Sequence, residues 1–163
     1  MRNWKVPGML IALFLAQGGN AGELAVSSSI MSKGLNWGPC PAFFPAGCQI
    51  AVLHGDPSKP NTDIYFKVPG DYTLPAHWHT SAERMVLVSG ELNVTYEGQS
   101  TTHMKTGMYA YGPAKAVHTG KCISKEACVL FIAFEEAVDA HEHHVNQLLP
   151  TILSWQTDIK PAF

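Results

Sequence analysis

The sequence predicts an all-β protein, and two observations carry the prediction. Turn residues are abundant, since glycine and proline account for 14 and 11 of the 163 residues. They separate a series of short segments with strand character at nearly regular spacing, which span residues 49–54, 63–68, 74–79, 84–88, 91–97, 101–105, 108–112, 116–122 and 128–134. Many short strands at such spacing are typical of a β-sandwich or a β-barrel.

The composition fits one folded domain without a nucleic-acid partner. Hydrophobic residues make up 46% of the chain and charged residues 15%, which is enough apolar material to bury a core. A length of 163 residues suits a single domain. The net charge is −2, whereas nucleic-acid-binding proteins carry an excess of positive charge, so we expect no nucleic acid to bind.

Residues 1–21 have the layout of a secretory signal peptide. Arg2 and Lys5 precede an uncharged, mostly apolar run at 6–16, and the small residues Gly19 and Ala21 suit a cleavage site. The run is too short to span a bilayer as a helix, and an uncleaved anchor or a buried N-terminal helix is the alternative. We therefore expect a periplasmic or secreted protein with no membrane attachment after cleavage.

Two segments flank the predicted strands. Residues 22–48 are expected to be a loose, Gly/Pro-rich lead-in. Residues 137–163 are expected to form a helical extension that begins near His141, His143 and His144, with Asp139 and Glu142 in an acidic first turn. The extension carries one apolar helical face, which is interrupted by a proline and consists of Val145, Leu148, Leu149, Ile152 and Leu153.

The cysteines form an even set at Cys40, Cys48, Cys122 and Cys128. An oxidising compartment allows disulfides to persist, and proximity along the chain favours Cys40–Cys48 and Cys122–Cys128. Sequence alone leaves the other pairings open, as well as buried free thiols.

A group of potential metal ligands lies on the predicted strands. His77 and His79 are two residues apart, so their side chains point to the same face of a strand. Glu83 follows a short corner, and His118 on a later strand supplies a fourth donor. Imidazoles combined with a carboxylate suit one divalent first-row transition metal, namely Mn, Fe, Co, Ni, Cu or Zn.

These residues occur in a pattern that resembles the cupin family. The first cupin motif is matched by Gly70, His77, His79, Glu83 and Gly90. The second motif is matched by Gly107, Pro113 and His118, whereas Lys115 replaces its glycine and Cys122 its asparagine. Neither replaced position is a metal ligand in the family. The resemblance implies a double-stranded β-helix, a jelly-roll barrel, over residues 49–136, with metal bound by His77, His79, Glu83 and His118.

The resemblance implies several functions and does not choose among them. The leading expectation is a metal-dependent, dioxygenase-like oxidoreductase that acts on a small oxygen-rich molecule, with Glu83 as the residue that moves a proton. An isomerase or lyase reaction is an alternative, as is a non-enzymatic module that binds or senses a small molecule or sugar. Homodimerisation is also left open.

Several other aromatic residues are expected to pack rather than to react. Alternation along the strand turns Trp78 away from the face of His77 and His79, toward a covering segment. Tyr65, Tyr109 and Tyr111 are expected in the core or at the rim. Arg84 is expected to face outward and His103 to be an exposed strand residue.

Overall fold

The computed structural model describes residues 24–144, and this part of the chain is built from β-strands without a helix. None of the described residues belongs to a helix that could cross a membrane. The predicted signal peptide and the apolar helical face at 145–153 lie outside the described residues. The strands are β1 (Gly38–Pro39), β2 (Gln49–His54), β3 (Thr62–Val68), β4 (Thr73–Trp78), β5 (Glu83–Ser89), β6 (Glu91–Tyr96), β7 (Thr102–Lys105), β8 (Tyr109–Gly112), β9 (His118–Cys122), β10 (Cys128–Phe134) and β11 (His141–Glu142).

The strands form two antiparallel sheets that face each other. The first sheet has the order β1-β2-β3-β10-β5-β8, and the second has the order β11-β4-β9-β6-β7. Each strand predicted between residues 49 and 134 is present, with ends that differ by no more than a few residues. The all-β prediction is therefore confirmed.

Alternation along the strands places the core between the sheets. In β3, Ile64, Phe66 and Val68 are buried, whereas the residues between them are half-buried. Leu130 pairs with Phe66 and Ile132 with Ile64 across the neighbouring strand β10, so one apolar surface extends over both strands. Burying a side chain of this size contributes about 1.5–3 kcal/mol, and the energy is gained only when both sheets close over it.

The Gly/Pro-rich part of the lead-in, residues 37–48, packs on the sheets, whereas residues 24–34 are almost all exposed. Strand β1 pairs with β2, and Phe44 is buried in the core. Trp37 lies on the outer face, where its ring stacks on Tyr65 at 6.5 Å between centroids. The ammonium of Lys67 lies 4.0 Å from the centre of the Trp37 ring. Aromatic side chains give this Gly/Pro-rich segment enough apolar area to attach to the barrel.

Two disulfides join cysteines that are close in sequence. Cys40 is bonded to Cys48, with 5.5 Å between their Cα atoms, and Cys122 is bonded to Cys128, with 5.7 Å. These are the pairs that proximity along the chain favours. The second bond closes the connection between β9 and β10, and thereby joins the two sheets at one end of the barrel.

The predicted start of a C-terminal helix is wrong in the described part of the extension. His141 and Glu142 form strand β11, which pairs with Trp78 and His77 of β4. The His141 ring stacks on the Trp78 ring at 4.1 Å between centroids. Strand β11 supplies backbone partners for β4, whose outer edge would otherwise be exposed, and this pairing takes precedence over local helical preference.

Candidate metal centre

The four predicted ligand residues come together at one end of the barrel interior. His77 on β4 is the direct cross-strand partner of His118 on β9, and His79 follows the end of β4. Glu83 begins β5 in the opposite sheet. All four residues are buried, with exposed fractions of 3% to 8%. The site therefore bridges the two sheets.

Each of the three imidazoles is held by a backbone carbonyl. The Nδ1–H of His77 donates to the carbonyl oxygen of Pro75 at 2.8 Å, and that of His118 donates to Ala116 at 3.0 Å. The Nδ1–H of His79 donates to the carbonyl oxygen of Asp139. A carbonyl only accepts, so the proton of each ring lies on Nδ1 and the Nε2 lone pair is free.

The free imidazole nitrogens converge with a carboxylate. Ligand atoms of His77, His79 and His118 all lie within 4.8 Å of one another. Glu83 Oε1 lies 3.4 Å from Nε2 of His79, and Oε2 lies 3.9 Å from Nε2 of His118. Lone pairs directed at one another repel unless a proton or a cation lies between them. The donor set therefore fits a divalent metal ion.

Burial determines the charges of the site. Loss of solvation lowers the pKa of His77 to about 3 and that of His79 to about 4, and it also lowers the pKa of His118. The same cause raises the pKa of Glu83 to about 8. The histidines are neutral at pH 7 and Glu83 holds a proton when no cation is bound, so the short distance between His79 and Glu83 is not an ion pair.

The two departures from the second cupin motif have local explanations. Lys115, at the glycine position, has a positive φ of 62°, which is the conformation that glycine favours. Its N–H donates to the carbonyl oxygen of His79 at 2.7 Å, so the turn keeps its place beside the site. Cys122, at the asparagine position, is bonded to Cys128. The departures leave the ligand residues in place.

An apolar cavity of about 210 Å³ adjoins the four ligand residues. No lysine or arginine of residues 24–144 lines it. Its walls come from both sheets and from the lead-in, and they include Phe44, Ile64, Phe66, Met85, Leu130 and Phe134. A molecule in this cavity would contact hydrocarbon on most sides and the site at one end.

The segment after β10 closes one side of this cavity. Val138, Asp139 and Ala140 all line it. Asp139 accepts the Nδ1–H of His79 through its carbonyl oxygen, and its side-chain Oδ1 accepts the N–H of Thr80 at 2.8 Å. The sequence offered no sign of this contact because 60 residues separate Asp139 from His79.

Tyr96 is a site residue that the sequence analysis missed. Its ring lies 4.9 Å from that of His118, its direct partner across β6 and β9. Its hydroxyl is completely buried and has no hydrogen-bond partner among residues 24–144. Burial raises the pKa of the phenol, and the nearby Glu83 carboxylate adds to the shift. The strict alternation of Leu92, Val94 and Tyr96 along β6 was the signal that could have found it.

The other aromatic and charged residues lie outside the site. Tyr109 and Tyr111 are 59% and 51% exposed on β8, and the Tyr65 hydroxyl donates to the carbonyl oxygen of Ser28 at 3.3 Å. Arg84 faces outward and pairs with Glu135 at 3.0 Å. His103 is exposed and lies 2.8 Å from Glu91.

Two facing antiparallel sheets that enclose a group of three histidines define a small jelly-roll barrel of the double-stranded β-helix class. A family model described as the ChrR cupin-like domain matches residues 28–138, so the chain belongs to this cupin family. The resemblance seen in the motifs is confirmed.

Solved structures with the same fold have low sequence identity to the chain. DMSP lyase DddQ from Ruegeria pomeroyi DSS-3 has a TM-score of 0.58 and 14% identity, over 66% of this chain and 60% of that one. The Cnp3 cupin domain of Schizosaccharomyces pombe has a TM-score of 0.50 and 19% identity, over 55% and 61%. Oxalate decarboxylase from Bacillus subtilis has a TM-score of 0.52 and 19% identity, over 60% and 28%.

These matches support the fold and leave the activity open. The chain spans about three fifths of the length of the first two proteins and less than a third of the decarboxylase. A comparison with curated protein sequences finds no significant match.

Proposed function

We propose that the chain is an exported, metal-dependent cupin enzyme that binds one divalent first-row transition metal through His77, His79, Glu83 and His118. The observation that carries the proposal is the orientation of the imidazoles. Each Nδ1–H is held by a backbone carbonyl, and each ring turns its free Nε2 toward the others. Backbone partners of this kind orient metal-binding histidines in proteins generally. Neutral imidazoles with a carboxylate suit Mn, Fe, Co, Ni, Cu or Zn.

The reaction that we propose first is of the dioxygenase type. A bound metal of this kind supplies Lewis acidity and, for a redox-active ion, electrons. Glu83 is the residue of the site that accepts and returns a proton once its carboxylate leaves the metal, because a freed carboxylate can act as a base and this one is buried beside the cavity. The apolar walls exclude water from a molecule bound there.

The apolar walls of the cavity support, as the proposed substrate class, a small molecule with an oxygen-bearing head and an apolar body. Apart from the proposed metal, the described walls offer no lysine or arginine to balance the charge of an oxygen-rich dianion. Two of the similar structures are a DMSP lyase and an oxalate decarboxylase, which supports a lyase or isomerase reaction as the alternative for the same site.

A binding or sensing module is the second candidate function. The cavity favours it because a largely apolar space of about 210 Å³ can hold a small ligand without converting it. Turnover of a ligand that binds to the metal-loaded protein would exclude this candidate. Stable binding without turnover would support it.

Export is supported by the signal-like layout of residues 1–21 and by the two disulfides. The proposed location is the periplasm or the medium. Expression of the full chain in a bacterium, followed by the mass of the extracytoplasmic product, tests this point. We expect a loss of residues 1–21, and a full-length product in the cytoplasm would contradict it.

Elemental analysis of the exported protein is the direct test of the metal site. We expect about one first-row metal per chain, and we expect the double variant His77→Ala, His79→Ala to lose it because two of the donors are gone. The control is His103→Ala, which removes an exposed histidine on β7. Exported wild-type protein without metal would overturn the proposal.

A further inference from the structure

The hydroxyl of Tyr96 is unusual because it is buried without a hydrogen-bond partner. Leaving a buried donor unsatisfied costs about 1–3 kcal/mol, so such a group calls for an explanation. Phenylalanine would fill the same space without that cost. The chain nevertheless carries a tyrosine beside the four ligand residues.

Gly112 shows where the hydroxyl is directed. Gly112 on β8 is the cross-strand partner of Glu83. A Cβ atom at position 112 would overlap the Tyr96 hydroxyl oxygen and would lie 3.2 Å from Oε2 of Glu83. The absent side chain of Gly112 therefore leaves a space that the phenol of one sheet and the carboxylate of the other approach together.

Once Glu83 is ionised, its Oε2 atom needs a hydrogen-bond donor. A carboxylate only accepts, and the nearest nitrogens, Nε2 of His79 and Nε2 of His118, carry no proton. The phenol of Tyr96 is the buried donor without a partner on the side of Oε2. A hydrogen bond to an ionised acceptor is about twice as strong as one between neutral groups.

We propose that Tyr96 is a positioning residue that donates a hydrogen bond to Oε2 of Glu83 when Glu83 serves as a metal ligand. The hydrogen bond satisfies the phenol, compensates the buried negative charge, and leaves Oε1 directed at Nε2 of His79. This inference rests on the proposed metal site. It adds a residue from β6, a strand that contributes none of the ligands, and it explains why a tyrosine occupies that position.

The test compares cobalt(II) binding by wild type and by Tyr96→Phe. We expect the variant to bind cobalt about tenfold more weakly, as is usual when a partner of a metal ligand is removed. We also expect its visible absorption to differ from that of the wild type, because the carboxylate is no longer held in one orientation. The control is Tyr111→Phe, which removes a phenol that is 51% exposed on β8 and should change neither quantity.

The melting temperatures of the metal-free proteins distinguish a positioning role of Tyr96 from a structural one. Tyr96→Phe should melt at the same temperature as wild type or higher, because it removes an unsatisfied buried hydroxyl. A lower melting temperature without metal would mean that the hydroxyl supports the fold itself, and it would overturn the inference. Equal cobalt affinity and equal spectra of the two proteins would also overturn it.

A double-mutant cycle with Glu83→Ala identifies the partner. The loss caused by Tyr96→Phe should disappear in the Glu83→Ala protein, since the acceptor is absent. A loss of the same size in both backgrounds would overturn the assignment of Glu83 as the acceptor. Wild-type protein that takes up no cobalt would overturn the metal site itself, and this inference with it, whereas uptake with no effect of Tyr96→Phe overturns the inference alone.

Discussion

Glu83 illustrates how burial at a single residue links protonation to metal binding. The residue is 3% exposed, and burial raises its pKa to about 8. The pKa values of His77 and His79 move in the opposite direction, to about 3 and 4, because burial disfavours the charged form of an imidazole. At neutral pH the carboxyl is therefore the protonated member of the group, and the histidines are already in the form that binds metal.

Metal binding should therefore release a proton at pH 7. A metal binds the ionised carboxylate, so the proton on Glu83 must leave when the site fills. The apparent affinity should increase by up to about tenfold per pH unit as the pH rises toward 8, and it should level off above that value. Calorimetric titrations with zinc in buffers of different ionisation enthalpy measure the number of protons released, which we expect to be close to one.

Glu83→Gln is the control for the proton release, since an amide has no proton to lose. Its binding should be weaker and nearly independent of pH between 6 and 8. Wild-type protein that binds zinc without releasing a proton at pH 7 would show that Glu83 is either ionised beforehand or not a ligand.

At the scale of elements, the turn between β8 and β9 has a strained backbone conformation directly beside the site. Lys115 has a φ of 62° although it is not a glycine, and its N–H donates to the carbonyl oxygen of His79. The left-handed conformation costs a residue with a Cβ atom roughly 1–2 kcal/mol. This turn positions His118 at the start of β9, so the strain is located beside a candidate ligand.

Lys115→Gly should stabilise the protein. Glycine adopts this conformation without the steric cost, although it loses more entropy on folding, and we expect a net gain of about 0.5–1 kcal/mol. Denaturant unfolding of the metal-free protein measures it. Lys105→Gly, on the regular strand β7, is the matched control and should be destabilising. A loss of stability in Lys115→Gly comparable to that of the control would show that the lysine side chain stabilises the protein by more than the strained backbone destabilises it.

At the scale of the whole molecule, the site joins the two sheets. His77 and His118 belong to the second sheet, and Glu83 belongs to the first. The Cys122–Cys128 disulfide connects β9 to β10, which is a second link between the sheets. A ligand that binds the folded state alone stabilises it in proportion to the logarithm of its concentration, so a metal held by both sheets should resist their separation.

Metal should therefore raise the free energy of unfolding of the intact protein by about 4 kcal/mol when it is present at about a thousand times its dissociation constant. Thermal unfolding with and without zinc measures the effect. His77→Ala should lose most of the gain, and His103→Ala should keep it because that residue lies outside the site. Equal gains in the two variants would mean that zinc stabilises the protein at another place.

Much of the fold follows from local pattern. Alternation with a period of two placed His77, His79 and Glu83 on inner faces, and the turn residues marked the strands from β2 to β10. Chain proximity favoured the cysteine pairs that the structure contains. These properties depend on residues a few positions apart, which is why the sequence could predict them.

The features that the sequence did not predict correctly depend on contacts between distant segments. The sequence predicts a helix start at residues 141–142, yet they pair with β4 because its edge and the Trp78 ring offer partners that a helix would not. Alternation along β6 indicates that Tyr96 faces inward, but its place beside Gly112 and Glu83 depends on another strand. No local pattern encodes either contact.

The sequence by itself determined the β-barrel class, its strands, and the four residues that face one another inside it, because side-chain alternation and motif spacing are local. The tertiary structure decided what those residues are able to do. It places the Asp139 carbonyl against His79 and forms an apolar cavity beside the site. It also buries Glu83, and this burial raises the pKa of the carboxyl to about 8. The physical reason is that burial and long-range hydrogen bonds arise only when both sheets close around the same space.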